Sequence, residues 1–386
     1  MIKNACINKF TVLRNLTNNP TFFHFLDLGN ENDHYKLISL IIEHGAEENF
    51  CKWLQDLILY DENAFSKLCA SGRTPNEYLI NNMAADLDII FNGVRTLNTH
   101  NAFNLGDFTY PFVKNDADAT VSNLIDFYGK NGFGDFIRYR AFDYADGQLK
   151  AIKSTSPITL NSLKGYKTEK ALVIDNVLNL IAGLPYSHML LYGDRGTGKS
   201  SPIHAVLNEY FKDGLRIVQL NKENVLYMGE LCQKLAQVPL KFLLFIDDLS
   251  LGEYDDKVSS LKASLEGTIA SIPTNVMIVA TSNRRHIVKE SFKDRENSVH
   301  LSDSLNEQLS LSDRFGLTVM FSTTDKAQYL SIVEQLAQDC GIAVDDKLKN
   351  LAERWALVKG ERSPRRAKQF VDLSYSCLKS GKEINF

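Results

Sequence analysis

Cysteine pairs, long apolar runs and an excess of either charge are all missing from this 386-residue sequence, and each absence excludes a class of protein. The six cysteines are scattered without a C-x-x-C pair, which argues against a zinc site and indicates free thiols in a reducing cytoplasm. No apolar run approaches membrane-spanning length, and the first residues lack the apolar core of a secretory signal. We therefore expect a cytoplasmic protein without a membrane segment.

The charge balance argues against a dominant nucleic-acid surface. The formal net charge is −4 and the pI is near 6.1, so only a local basic patch stays open as a nucleic-acid contact. Hydrophobic residues make up 44% and charged residues 23%, which is typical of globular proteins. The length exceeds one ordinary core, and we expect about two or three domains.

The stretch GDRGTGKS, from Gly193 to Ser200, fits the phosphate-binding pattern G-x-x-x-x-G-K-[ST] at every fixed position. Its glycines can adopt backbone conformations closed to other residues, so consecutive N–H groups can turn toward an anion. Lys199 supplies a cation for the outer phosphates, and Ser200 supplies a hydroxyl for Mg²⁺. The other loop positions in the predicted nucleotide site are Gly193, Asp194, Arg195, Gly196, Thr197, Gly198 and Ser201.

The context of this loop supports the assignment. An apolar strand pattern, 188–192, precedes it, and a helix pattern, 200–210, follows it. Pro202 is tolerated there because the first helical turn has no internal partner for its N–H. We therefore predict that the protein binds a nucleoside triphosphate.

Polar side chains follow two further predicted strands. Asp247 and Asp248 end the apolar run 242–246, which is of the buried parallel type and delivers them to the carboxyl edge of a sheet. Asp247 suits Mg²⁺, and Asp248 suits the orientation of an attacking water. Asn283 follows the next buried run, 276–281, where its amide can hold that water or a phosphate oxygen; a turn-forming asparagine is an equal alternative.

The domain organisation follows from the apolar periodicity. Residues 1–130 carry helical stripes, and Thr74-Pro75 predicts the start of one helix; the segment is expected to be a helical domain, with partner binding as its functional interpretation. Residues 131–159 predict a packed connector. Residues 160–324 alternate between strands and helices, which predicts an α/β fold with a parallel sheet sandwiched by helices. Residues 325–386 predict a helical lid.

The order of these segments resembles that of AAA+ ATPases. The phosphate loop, the Asp247-Asp248 strand, the ATSN segment, the SDRFGL segment at 312–317 and the SPRRA segment at 363–367 follow one another as in that family. The similarity covers roughly the last 60% of the chain, and it is strongest to a bacterial family of predicted AAA+ ATPases of unassigned function. The resemblance implies ATP and Mg²⁺ as ligands and assembly into a homo-oligomer.

The resemblance also implies roles for single residues. Asn283 looks like the first sensor, and Arg314 occupies the place of an arginine finger that reaches the γ-phosphate of a neighbouring subunit. Arg365 looks like the second sensor on the lid, with Arg366 as the alternative if the register differs by one. A salt bridge for Arg314 and a solvated helix start for Arg365 are the structural alternatives. The segment expected to pack on adenine contains Leu163, Gly165 and Tyr166.

Two departures from the AAA+ pattern shape the functional hypothesis. Most AAA+ motors carry glutamate at the position of Asp248, and the shorter aspartate predicts slow hydrolysis and favours a nucleotide-gated switch over a fast motor. The charged insertion at 284–310 is expected to be a solvated loop, with a partner-contacting element as the alternative.

We therefore expect an ATPase that couples Mg-ATP binding and slow hydrolysis to assembly with, or remodelling of, a protein partner through the N-terminal domain. The alternative is a loader-like ATP switch that controls nucleic-acid association. In that case the cations at 362, 365, 366 and 368 bind nucleic-acid phosphates. A passive nucleotide-bound scaffold is a third hypothesis.

Overall fold

The chain divides into two compact units in the computed structural model. Met1–Tyr139 and Gln237–Leu240 form the N-terminal unit, and Arg140–Ala236 with Lys241–Phe386 form the second unit. The apolar pattern of residues 258–272 predicts a helix, but that stretch and the charged insertion at 284–310 lie almost wholly outside the described residues. The structure describes residues 9–27, 31–97, 102–249, 251–252, 261, 265, 272–283, 288–289 and 314–384.

The described part of the N-terminal unit is built of helices around an apolar core. Aromatic side chains, including Phe22, Phe50 and Tyr128, form a large part of that core. After a short 3-10 turn, Arg14–Asn18, the helices are α1 (Pro20–Leu26), α2 (Glu31–Glu43), α3 (Phe50–Leu59), α4 (Ala64–Ala70), α5 (Glu77–Thr96), α6 (Ala117–Asn131) and α7 (Asp135–Arg138).

Helix α5 begins later than its sequence predicts. The Thr74-Pro75 pair predicts the cap and first turn, but the helix starts at Glu77. The cap is Asn76, whose side chain accepts a hydrogen bond from the backbone N–H of Leu79 at 2.9 Å. Asparagine is among the strongest capping residues, so it outcompetes the threonine two positions earlier.

The second unit contains a seven-stranded sheet in the order β2-β1-β4-β5-β7-β3-β9. Its pairings are parallel except for that of β1 with β2, and β5 and β7 are buried along almost their whole length. The α/β fold class is therefore confirmed. The strands are β1 (Ala141–Ala145), β2 (Gln148–Ala151), β3 (Met189–Gly193), β4 (Leu215–Leu220), β5 (Lys241–Ile246), β7 (Val276–Ser282) and β9 (Leu317–Phe321), and a separate short parallel pair joins β6 (Leu251–Gly252) to β8 (Val288–Lys289).

Strands β1 and β2 lie within residues 131–159, whose pattern predicts a connector. Phe142 and Tyr144 of β1 are fully buried, and Phe142 lies opposite Val218 of β4. Asp146 and Gly147 both have positive φ, as the tight turn between two antiparallel strands requires. The Asp-Gly pair is thus a hairpin turn, and residues 141–151 belong to the sheet.

Helices flank the sheet and continue beyond its last strand. The three C-terminal helices, which we call the lid, surround a small core that includes Tyr329 and Phe370. Among the described residues, no helix combines the length and the apolar composition needed to span a membrane. The flanking helices are α8 (Lys167–Ala182), α9 (Ser201–Tyr210) and α10 (Met228–Ala236), and those of the lid are α11 (Lys326–Asp339), α12 (Asp346–Val358) and α13 (Pro364–Ser380).

Candidate nucleotide-binding site

The phosphate loop leaves β3 at a position that only glycine can occupy. Gly193 has a φ of +140°, and a Cβ there would lie 2.0 Å from the carbonyl oxygen of Phe321 on β9. Gly196 and Gly198 also have positive φ, at +78° and +89°. The loop then runs into the amino end of α9 at Ser201, where unpaired helical N–H groups favour an anion.

One side chain closes the loop on itself. The buried Thr197 donates its hydroxyl to the carbonyl oxygen of Asp194 at 2.8 Å. The side chains of Asp194 and Arg195 are exposed at the tip. The loop geometry therefore depends on glycines and on Thr197, whereas the two charged tip residues are open to solvent.

The ammonium of Lys199 is buried and fully engaged. It donates to the carbonyl oxygens of Gly193 and Asp194 at 2.9 and 2.8 Å and to Asn283 Oδ1 at 3.1 Å. These three bonds use the three N–H donors of an ammonium. Burial lowers the pKa of Lys199, and nearby carboxylates, chiefly Asp248, oppose that shift.

The two aspartates after β5 contact different partners. Asp247 Oδ1 accepts hydrogen bonds from Ser200 Oγ at 2.8 Å and from Thr281 Oγ1 at 2.6 Å. Asp248 Oδ1 accepts one from Asn283 Nδ2 at 2.6 Å. The strand order makes this arrangement possible, because β7 lies between β5 and the phosphate-loop strand β3. Four predicted site residues and Thr281 thus form one network with Lys199.

Ser200 and Asp247 present the oxygen ligands that Mg²⁺ prefers. Their side-chain oxygens lie 2.8 Å apart beside the loop. Mg²⁺ is commonly held by one or two protein oxygens together with substrate phosphates and water, so this pair fits that ion. Within the described ranges, no cluster of three or more histidine, cysteine or acidic residues could hold a metal ion without such help.

A cavity of about 470 Å³ opens beside the loop, between the segment 162–166 and the lid. Gly165 has a φ of +71°, and a Cβ there would lie 2.8 Å from Ile332 Cδ1 of α11. The Tyr166 hydroxyl donates to the carbonyl oxygen of Ser322, and burial raises the pKa of Tyr166 to about 12. The predicted site residues that line this cavity are Leu163, Tyr166, Gly196, Thr197, Gly198, Ser201 and Arg365.

The structure distinguishes the two arginines at the start of α13. Arg365 lines the cavity and donates its backbone N–H to the carbonyl oxygen of Gly196 at 3.3 Å. Its charge adds to the lowering of the Lys199 pKa, for which burial is the larger cause. Arg366 instead forms an ion pair with Glu361, with Nε 3.1 Å from Oε1. Of the two registers, that of Arg365 faces the phosphate loop.

Arg314 does not join this group within one chain. Strands β3 and β9 run parallel, with Leu317 opposite Met189 and Phe321 opposite Gly193. Arg314 precedes Leu317 by three residues and therefore lies toward the Met189 end, whereas the loop begins at the Gly193 end. At the usual rise, β9 alone separates the two ends by roughly 13 Å.

Thr281 is the member of the network that the sequence does not reveal. It lies in β7, two residues before Asn283, inside the ATSN segment. Its side chain is 2% exposed, and a buried threonine in an apolar strand is usually part of the core. The available signal is its alternation with Asn283, since residues two apart on a strand point to the same face.

Three solved structures show low-identity likeness to this chain. They are the RuvB Holliday junction branch migration motor of Thermotoga maritima (15% identity, 59% of this chain and 68% of that chain, TM-score 0.40), the ORC1 protein of Aeropyrum pernix in complex with DNA (15%, 57% and 62%, 0.40) and domain III of the Thermotoga maritima replication initiation protein DnaA (15%, 60% and 94%, 0.38). No curated protein matched the chain.

The family comparison covers most of the second unit. Residues 136–377 match the family described as "Protein of unknown function (DUF815)". This range contains every predicted site residue and agrees with the resemblance to an AAA+ family of unassigned function. Because the match spans well over half of the chain, the protein belongs to the DUF815 family.

Proposed function

We propose that this protein is an AAA+ ATPase that binds Mg-ATP at the loop of residues 193–200, hydrolyses it slowly and uses the nucleotide state to control assembly with a protein partner. The observation that carries the proposal is the network of Lys199, Ser200, Asp247, Asp248 and Asn283, connected through Thr281 at one edge of the sheet. The adjacent cavity falls within the volume range of ordinary ligand pockets.

Phosphate binding in this site is an exchange of partners. Lys199 already uses its donors on Gly193, Asp194 and Asn283, so a phosphate oxygen takes the place of one protein oxygen. The loop N–H groups and the amino end of α9 supply the remaining attraction for negative charge. The segment containing Leu163 and Tyr166 then provides the wall for the base.

Hydrolysis requires a held carboxylate and neutralised phosphate charge. Ser200 and Asp247 would hold Mg²⁺, which would supply the neutralisation when bound. Asp248 is the residue that orients the attacking water, and Asn283 fixes its carboxylate. Because aspartate is one methylene shorter than glutamate, we propose slow turnover, which suits a switch.

Arg314 and Arg365 extend the proposal beyond one active site. Arg365 contacts the loop from the lid, and this contact supports the proposal that it senses the phosphates. Arg314 lies at the other end of the strands, and we propose that it completes the site of a second copy of the chain. The N-terminal unit contributes none of the predicted site residues, and we assign it to binding of the protein partner.

The nucleic-acid alternative is disfavoured by the pairing of the basic cluster on the lid. Arg362 forms an ion pair with Glu353, and the same bond lowers the pKa of that carboxyl. Arg366 pairs with Glu361, and Lys368 pairs with Asp372 at 2.8 Å. Carboxylates beside three of the four cations reduce the positive field that counterion release from nucleic acid requires.

The test is a titration of ATP, with Mg²⁺ present, into the full-length protein and its Lys199→Ala variant. We expect the variant to bind about 10- to 100-fold more weakly, because a charge-assisted contact to phosphate is lost. The control is Lys234→Ala, which removes an ammonium outside the site that also donates to a carbonyl oxygen, that of Gly147, and that pairs with the carboxylate of Glu230. Equal ATP affinity in the wild type and in Lys199→Ala would overturn the proposed site.

A further inference from the structure

Thr281 forms hydrogen bonds with three consecutive residues, 247–249, that follow the neighbouring strand β5. Its Oγ1 donates to Asp247 Oδ1 at 2.6 Å and accepts the backbone N–H of Asp248 at 2.8 Å. Its carbonyl oxygen accepts the backbone N–H of Leu249 at 2.7 Å. A hydroxyl has one hydrogen to donate and lone pairs to accept, so this single group engages both aspartates in opposite senses.

The conformation of Asp248 explains why such a contact is needed. Its φ is +51°, in the left-handed region that is strained for a residue other than glycine. In a regular strand, successive side chains point to opposite faces. The left-handed turn breaks that alternation, and both carboxylates contact groups at the same sheet edge, Ser200 and Asn283. The bonds from Thr281 stabilise the turn on both sides of Asp248.

We propose that Thr281 is a positioning residue that sets the Mg²⁺ ligand Asp247 and the water-orienting Asp248 together. This inference rests on the proposed function of the site. Thr281 acts through its hydrogen bonds to the two aspartates. It therefore affects the Mg²⁺ dependence of ATP binding and the turnover rate, while ATP binding without Mg²⁺ is unaffected.

The experiment compares Thr281→Val, which keeps the shape and removes the hydroxyl, with Thr281→Ser, which keeps the hydroxyl. Full-length proteins are titrated with ATP in Mg²⁺ and in EDTA, and turnover is measured across Mg²⁺ concentrations. Groups that orient a metal ligand are typically worth 10- to 100-fold in metal affinity or activity, so we expect the half-saturating Mg²⁺ concentration of Thr281→Val to rise about 10-fold. Its turnover should fall by a similar factor, and Thr281→Ser should stay within about threefold of wild type.

The matched control is Thr120→Val in the N-terminal unit. Thr120 is also fully buried, and its hydroxyl donates to the carbonyl oxygen of Asp116 at 2.7 Å. This control should lose thermal stability and keep wild-type Mg²⁺ dependence. If Thr281→Val does the same, Thr281 is a structural residue and the inference is overturned; a Thr281→Ser variant as impaired as Thr281→Val also overturns it.

A second variant covers the case in which the valine substitution prevents folding. If Thr281→Val does not fold, Thr281→Ala replaces it, with the same expected shift in Mg²⁺ dependence and the same contradicting result.

The wild-type protein separates the two proposals. A wild-type protein that binds no ATP overturns the proposed function, and this inference with it. A wild-type protein that binds and hydrolyses Mg-ATP, combined with unshifted Mg²⁺ dependence in the valine variant, overturns this inference alone.

Discussion

The amide of Asn283 connects the two charges of the site at the scale of single residues. Its Oδ1 accepts from Lys199 at 3.1 Å, and its Nδ2 donates to Asp248 at 2.6 Å. An amide carries an acceptor and a donor on one carbon, so it can bridge a cation and a carboxylate. A phosphate oxygen that competes for Lys199 therefore also changes the surroundings of Asp248.

We expect Asp248→Asn to keep ATP affinity and to lower turnover about 100-fold or more, because an amide cannot accept the proton of the attacking water. Turnover at saturating Mg-ATP and a separate binding titration measure the two effects. Asp247→Asn is the contrasting variant, since it should weaken the Mg²⁺ dependence of ATP binding. If the turnover rate of Asp248→Asn is unchanged, a group other than Asp248 orients the attacking water.

Spacing predicts some of these residues and cannot predict others. Lys199 and Ser200 belong to a motif with fixed intervals, and Asp247 and Asp248 directly follow a continuous apolar run, so the sequence predicts all four as site residues. The structure places them in one network. The contact of Thr281 depends on the left-handed turn at Asp248, which no interval in the sequence encodes.

At the scale of elements, the hairpin of β1 and β2 is likewise a feature that the sequence pattern does not predict. Strand β1 is five residues long and includes the charged Asp143, so its apolar alternation is short and interrupted. Its place in the sheet depends on pairing with β4, which is distant in sequence. Strands β3, β5 and β7 contain uninterrupted apolar runs of at least four residues, and those runs predict them from the sequence. The choice between Arg365 and Arg366 likewise depends on the start of α13 at Pro364.

We expect a fragment that begins at Arg140 to be more stable than one that begins at Ser154. The shorter fragment loses β1 and β2, including the buried Phe142 and Tyr144, and exposes the edge of β4. Two large buried side chains correspond to a decrease of about 10 °C or more in melting temperature. Both fragments lack residues 1–139, so calorimetry compares them directly; equal melting temperatures would show that the hairpin adds no stability.

At the scale of the whole molecule, the role proposed for Arg314 requires more than one copy of the chain. If it completes the site of a second copy, turnover per subunit should rise with protein concentration. Arg314→Ala should keep ATP binding and lose turnover, by a factor that reaches roughly 10³–10⁵ for arginine fingers in related reactions. If hydrolysis with Asp248 is slow, as proposed, the factor by which Arg314→Ala lowers turnover is smaller. Enzyme assays over a dilution series, with binding titrations in parallel, measure both effects.

A mixing experiment separates this role from a structural one. Arg314→Ala subunits have intact loops, and Lys199→Ala subunits have intact arginines, so their mixture should recover part of the activity that each lacks alone. If Arg314→Ala lowers both the melting temperature and the ATP affinity, Arg314 has a structural role. Turnover independent of concentration would contradict completion of the site by a second copy.

The opposite placement of Arg314 and the phosphate loop along β3 and β9 constrains any assembly built on that contact. If copies joined in this way all face the same direction, they meet head to tail through two different surfaces, and such contacts either close into a ring or extend as an open helical array. An open row always has one loop without a donor arginine and one arginine without a loop, so it contains one complete site fewer than it has subunits. Ring closure supplies the missing site, and the gain in activity per subunit on closure is largest for the smallest rings.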